Sequence, residues 1–217
     1  MTKNVRTLSI VVASIILIVG TYLAYEKYTR RNHVVAMVTD TAARLRAALQ
    51  APASEGGGTR ADSHAAAADA RVTALRRMNA SSFRPLADAA DDYLVTAREI
   101  LRRIEDIQNI RTRFASSLDA LNAHVKGDRG RADWTKEAVR LKDALDKDAR
   151  DYRIAVDSYS SLLQSFPASQ LKIAPFVEHE TLIDDETVER ARKRTLDAFA
   201  AAEQNVRQAA NLGGSRR

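Results

Sequence analysis

The stretch FRPLADAADDYLVTAREILRRIEDIQNIRTRFASSLDALNAHV, residues 83–125, decides the fold. Stepping alternately by three and four from Phe83 visits Leu86, Ala90, Tyr93, Ala97, Ile100, Ile104, Ile107, Arg111, Phe114, Leu118, Leu121 and Val125. Twelve of these thirteen positions are apolar. That is the pattern of a long helix with one buried seam, and it excludes a strand or a mixed loop. The segment KGDRGR, residues 126–131, reads as a turn. The same spacing then resumes at Trp134, Ala138, Leu141, Leu145, Asp148, Tyr152, Ala155, Tyr159, Leu162 and Phe166, with nine of ten positions apolar. Two seams joined by a short turn predict an antiparallel helical hairpin, about 50 to 65 Å long at 1.5 Å per residue.

Each seam has one polar exception, Arg111 in the first and Asp148 in the second. A turn centred near 128–129 sets position 111 opposite roughly 146–148. Arg111 and Asp148 are therefore expected to form a half-buried ion pair that fixes the hairpin register more than it stabilises, because desolvation offsets most of the Coulomb gain. The alternative is that both side chains reach past the seam edge to water.

Upstream, Thr7 to Tyr25 runs nineteen residues without a charge. As a helix it covers about 28 Å, close to the hydrocarbon thickness of a bilayer. This predicts a transmembrane anchor over 7–25, behind a short basic tail over 1–6. A removable signal peptide fits less well. Its apolar core is usually shorter, and cleavage after Ala24 or Gly20 leaves Tyr22 or Ile18 where a small residue is needed. Tyr22, Tyr25 and Tyr28 follow at helical spacing among Lys27, Arg30 and Arg31, a pattern suited to a membrane interface. Basic residues lie on both sides of the span, so charge bias gives no clear orientation. A short basic N-terminal tail usually stays inside, which leaves the large domain outside the cytoplasm. The expected location is thus the inner (cytoplasmic) membrane, single-pass, with the bulk of the chain periplasmic. The absence of cysteine fits an oxidising compartment without requiring one.

Between the anchor and the hairpin, Val38, Ala42, Leu45 and Leu49 stripe a membrane-proximal helix over 26–50. A Gly-rich turn over 51–59 precedes a helix over about 60–78, whose stripe is Ala61, Ala65, Ala68, Val72 and Leu75. After the hairpin, Pro167 is expected to stop the helix, leaving an irregular loop over 167–183. Leu171, Ile173, Phe176 and Val177 mark that loop as a candidate interaction segment. The plainer reading is an apolar strap across the bundle end, lying at the membrane-proximal side. A last helix over 184–211 opens with acidic residues at its positive end, and 213–217 form a flexible tail. The fold class is all-α: one transmembrane helix followed by an elongated antiparallel bundle built around the hairpin.

Chemistry is sparse. The net charge is +6, yet arginines alternate with Asp and Glu along most segments, as on solvated helix faces. No basic stripe with interleaved aromatics appears, which argues against nucleic acid. There is no paired nucleophile and base, no phosphate-cradling glycine loop and no metal-ligand spacing. The run from Glu178 to Glu186 is rich in carboxylates, but a helix cap explains those at its end. Neither catalysis nor a cofactor is expected. The sequence points to a non-enzymatic scaffold or interaction protein of a bacterial envelope. Its partners would be the lipid bilayer and either another envelope protein or a second copy. The competing expectation is a ligand-sensing or solute-binding bundle acting through a partner. A pocket containing Arg111 would favour sensing, and a continuous apolar strip outside would favour assembly.

Overall fold

The two seams meet as a hairpin. In the computed structural model the chain is all-helical among its described residues, with α1 spanning Thr2–Gln50, α2 Gly58–Arg77, α3 Arg84–Lys126, α4 Trp134–Ile173 and α5 Asp185–Gly214. Two short 3-10 turns, Ala174–Phe176 and His179–Thr181, link α4 to α5. The structure describes the backbone of residues 2–51, 58–78, 80–81, 83–127 and 132–214, and the side chains at 17, 19–51, 64–78, 80–81, 83–127 and 132–208. Most of the expected turn over 51–59 and the last residues of the tail lie outside the described residues, as do the side chains that make up most of the expected span. Among the described residues no helix is long and apolar enough to cross a membrane.

α3 and α4 run side by side in opposite directions. Hydroxyls of Thr96 and Ser169 share a hydrogen bond of 3.1 Å, Ser117 donates to Asp148 at 2.7 Å, and Lys172 meets Asp92 at 3.2 Å. At the tip, His124 stacks on Trp134 with ring centroids 5.1 Å apart, and the indole N–H donates to the His124 carbonyl at 3.2 Å. Deeper in, Tyr93 meets Phe166 at 5.6 Å.

Two clusters make the core. The larger joins α1, α2 and the basal halves of α3 and α4 through Val38, Leu45, Leu94, Ile100, Leu163 and Phe166. The smaller lies in the distal hairpin around Phe114, Leu145, Tyr152 and Val156, and α5 leans on it with Phe199 and Val206. α2 buries mostly small residues, Ala65, Ala68 and Val72 among them. Its position is reinforced by charge pairs: Arg71 with Asp40 of α1, Asp69 with Arg98 of α3, and Arg76 with Asp91 of α3. α3 and α4 continue well past the end of α1, so the hairpin overhangs α1 with α5 alongside its distal half.

One expected boundary is corrected. α4 does not stop at Pro167 but continues through it to Ile173, so the loop expected over 167–183 shrinks to the two 3-10 turns and their joints. Proline inside a helix removes one backbone hydrogen bond and costs about 3 kcal/mol. Phe166 and Ile173 on either side are fully buried, and each fully buried large apolar side chain contributes about 1.5 to 3 kcal/mol. The two together offset the proline.

The expected place of this segment changes as well. Arg46 donates to the carbonyls of Glu180 at 2.8 Å and Leu182 at 2.9 Å. The segment therefore lies against the upper part of α1, about 27 Å along the helix from Tyr28 at 1.5 Å per residue, and not at its foot.

Phe166→Ala opens a cavity in the larger cluster and is expected to cost about 3 to 5 kcal/mol. Val139→Ala, at an exposed site on the hairpin, is expected to stay within about 0.5 kcal/mol. Denaturant titration followed by circular dichroism measures both, and equal losses would mean that the hairpin base is not the core.

Candidate functional site

The end of α1 leaves a cleft that three other helices line. α3 presents Ile104, Ile107, Gln108 and Arg111, α4 presents Tyr152 and Tyr159, and α5 presents Arg194 and Thr195. Ala48 and Leu49 form the floor. The cavity measures about 70 Å³, enough for several water-sized groups.

Each polar wall residue is placed by a helical repeat. Arg111 sits on the same seam as Ile104, Ile107 and Phe114, so packing of those neighbours aims it inward. Tyr152 and Tyr159 are two turns apart on the buried face of α4. Burial pushes both phenols up from their ordinary value; the charge of Arg111 works against this at Tyr152, and that of Arg194 at Tyr159. Both hydroxyls stay protonated at neutral pH.

The two arginines differ in what they touch. Arg194 donates through Nη1 to the carbonyls of Gln50 at 3.2 Å and Ala51 at 3.1 Å, and through Nη2 to that of Leu49. The last carbonyls of a helix have no partner within it, and a cation there is favoured by the helix dipole. The last turn of α1 has no basic residue of its own, so Arg194 supplies the cap from across the bundle. Arg111 is half-buried and makes no hydrogen bond or ion pair among the described residues. Near it, Oε1 of Gln108 is buried without a hydrogen-bond partner.

The structure does not bring Arg111 and Asp148 together. The midpoints of the Thr96–Ser169, Arg113–Asp151 and Ser117–Asp148 pairs all fall at 132 or just above, beyond the expected centre of 128–129. The helix begins only at Trp134, after the glycine-containing turn and two further residues. Every residue by which the centre moves shifts the register by two. Ser117 thus takes the place across from Asp148, and Arg111 comes to lie beside Tyr152.

Among the proposed interface residues, Tyr22, Tyr25 and Tyr28 are all 65% exposed or more, and Lys27 and Arg31 are exposed. Arg30 pairs with Glu26 one turn below. The proposed interaction loop divides. Ile173 is buried, and Phe176 and Val177 pack half-buried on the larger cluster. Leu171 alone points outward, at 75% exposure. Three of the four side chains are thus in the bundle, as a strap requires.

Two residues anchor this strap, and of these Gln170 was not evident in the sequence. The buried amide of Gln170 donates to the Ile183 carbonyl at 2.8 Å and accepts the Ile183 N–H at 2.7 Å. Asp184 accepts the Thr187 N–H at 2.7 Å and its hydroxyl at 2.8 Å, capping α5. A side chain whose partner is backbone thirteen residues away leaves no periodic mark, whereas the cap fits the acidic start of the last helix. Among the described residues no group of three or more His, Asp or Glu is arranged to hold a metal ion. No protein-family model matches the chain, and neither a curated protein nor a solved structure matches it.

Gln170→Leu keeps the volume but strands two buried backbone groups, at about 1 to 3 kcal/mol each. The expected result is a loss of about 2 to 4 kcal/mol, with faster hydrogen exchange at the Ile183 amide. The Asp184 carboxyl is held below its ordinary value, chiefly by the Thr187 N–H and then by its hydroxyl. Its contribution is therefore present above about pH 4 and is lost as pH falls through the depressed value. Exchange protection of the Thr187 amide should fall in acid, and Asp184→Asn should flatten that dependence.

Proposed function

We propose that this chain is a single-pass, membrane-anchored helical protein of a bacterial envelope, without enzymatic activity, that works by presenting its bundle to a protein partner. The observation that carries this reading is the free foot of α1. The helix is continuous from Thr2, and among its described side chains, which begin at Leu17, the first that is buried is Val34. Leu17, Val19, Leu23 and the three tyrosines stand exposed along the foot. Most helical stability comes from packing an apolar face, the described side chains from Leu17 to His33 bury none, and the β-branched run from Ile10 to Val19 is a poor helix former on its own. Lipid around the apolar part supplies what the bundle does not. In this reading the tyrosines mark the interface, Lys3 and Arg6 remain on the cytoplasmic side, and the bundle stands in the periplasm.

The partner is another envelope protein or a second copy of the chain. The distal hairpin is the natural contact surface, since it extends past the end of α1 and the faces that α5 leaves open are not spent on the main core. Its exposed large apolar residues, Val139 and Ile154, are single and not a continuous strip.

One observation favours a second form of the same reading. The cleft over the tip of α1 holds Arg111 without a carboxylate partner among the described residues, and clefts between helices with a few converging polar groups are where bundles bind small ligands. The bundle then binds a solute and passes its occupancy to the partner.

A reporter enzyme active only outside the cytoplasm, fused after Arg217, tests the topology. Activity is expected with the full chain and should vanish when residues 7–25 are deleted. Release of the full chain from membranes by alkaline carbonate would overturn the anchor. A reporter that works only inside the cell would reverse the orientation.

A further inference from the structure

Among the described residues the cleft over the end of α1 has an unbalanced charge. Arg111 is half-buried and makes no ion pair or hydrogen bond among the described residues. The other guanidinium in the wall, Arg194, is already occupied by three carbonyls of α1. Gln108 contributes a buried acceptor with nothing to accept from. Tyr152 and Tyr159 keep their phenols protonated and add no negative charge. The remaining surface is apolar, from Ile104, Ile107 and Leu49.

We propose that this cleft binds a small organic monocarboxylate carrying a hydroxyl donor next to the carboxylate. The carboxylate lies against the planar fork of Arg111, which matches two oxygens at once. The adjacent donor satisfies Oε1 of Gln108. One unpaired guanidinium balances one negative charge, so a monoanion is neutralised and a phosphate dianion is left in excess. The aliphatic wall raises the value of each polar contact by lowering the local dielectric. The proposal rests on the ligand-binding form of the function given above and names the ligand class for it.

The test uses the full chain in detergent, titrated at constant ionic strength with lactate, acetate, inorganic phosphate and chloride. Thermal midpoint and heat of binding are read together. Lactate is expected to raise the midpoint in a saturable way, acetate to act more weakly because it lacks the second donor, and phosphate and chloride to have no effect. Arg111→Gln should raise the half-saturating lactate concentration by about tenfold or more, roughly the loss of one charge-assisted contact. Arg111→Lys, which keeps charge but not the fork, should fall between.

Without ligand, the midpoint of Arg111→Gln should stay level or rise, because Arg111 holds nothing together. A fall would make it a structural residue and overturn the proposal. An equal lactate response in wild type and Arg111→Gln would also overturn it. A saturable response to phosphate with none to lactate would refute the monocarboxylate and leave a ligand-binding cleft. No response to any anion would refute both the ligand class and the ligand-binding reading beneath it.

Discussion

The seam between α3 and α4 is the constraint from which the remaining structure follows. Its two helices are of nearly equal length, forty-three and forty residues, and α1 covers only their basal part. A seam longer than its cover must find another partner for its distal half. α5 is that partner: Phe199 stands edge-on to Tyr152 at 5.0 Å, and Arg153 lies over the Phe199 ring at 5.7 Å. The division into two apolar clusters is therefore a consequence of unequal helix lengths. So is the cleft, which opens where α1 stops and α5 has not fully replaced it.

The route from α4 to α5 shows how a local cost is accommodated. Proline weakens α4 at 167, but the residues that must be buried are on both sides of it. The chain then turns sharply through two 3-10 turns, whose backbone groups need partners. Gln170 reaches across to Ile183, and Arg46 reaches from α1 to Glu180 and Leu182. Long polar side chains from regular helices thus satisfy the backbone of the irregular segment. That segment is held at both ends and lies close against the bundle, which explains why its apolar residues point inward.

Periodicity made the helices legible, because burying one face of a helix imposes a repeat that can be counted. Phe83 to Val125 and Trp134 to Phe166 were read in this way, and each belongs to the observed hairpin except where helix ends shift. Register was less legible. It depends on where the second helix starts, and the glycines at 127 and 130 set the turn without fixing that start. The error placed Arg111 against Asp148, when Ser117 meets Asp148 and Arg111 faces the cleft. Pro167 misled for a related reason: a residue's own preference is visible in sequence, whereas the burial of Phe166 and Ile173 that outweighs it belongs to the assembled bundle. Arg111 itself was singled out correctly as the polar residue in an apolar seam. Its role changed because its neighbours did.

The distribution of positive charge connects these features. A net charge of +6 suggests a polyanionic partner when read as a total. In the folded chain Arg194 caps the end of α1, and Arg46 ties down the turns before α5. Those two guanidiniums are matched to carbonyl dipoles, not to carboxylates. They add to the net charge without forming an exposed basic surface. Arg71 and Arg98 are paired with Asp40 and Asp69. Arg111 is the exception among these arginines near the helix interfaces, since it lies at a seam and, among the described residues, touches neither a carboxylate nor a helix end. Desolvating a cation without such a partner is unfavourable, and the fold gains nothing visible from keeping it there. A side chain that the bundle does not need, aimed into a cleft that the helix lengths create, is the place where chemistry from outside the chain has something to bind.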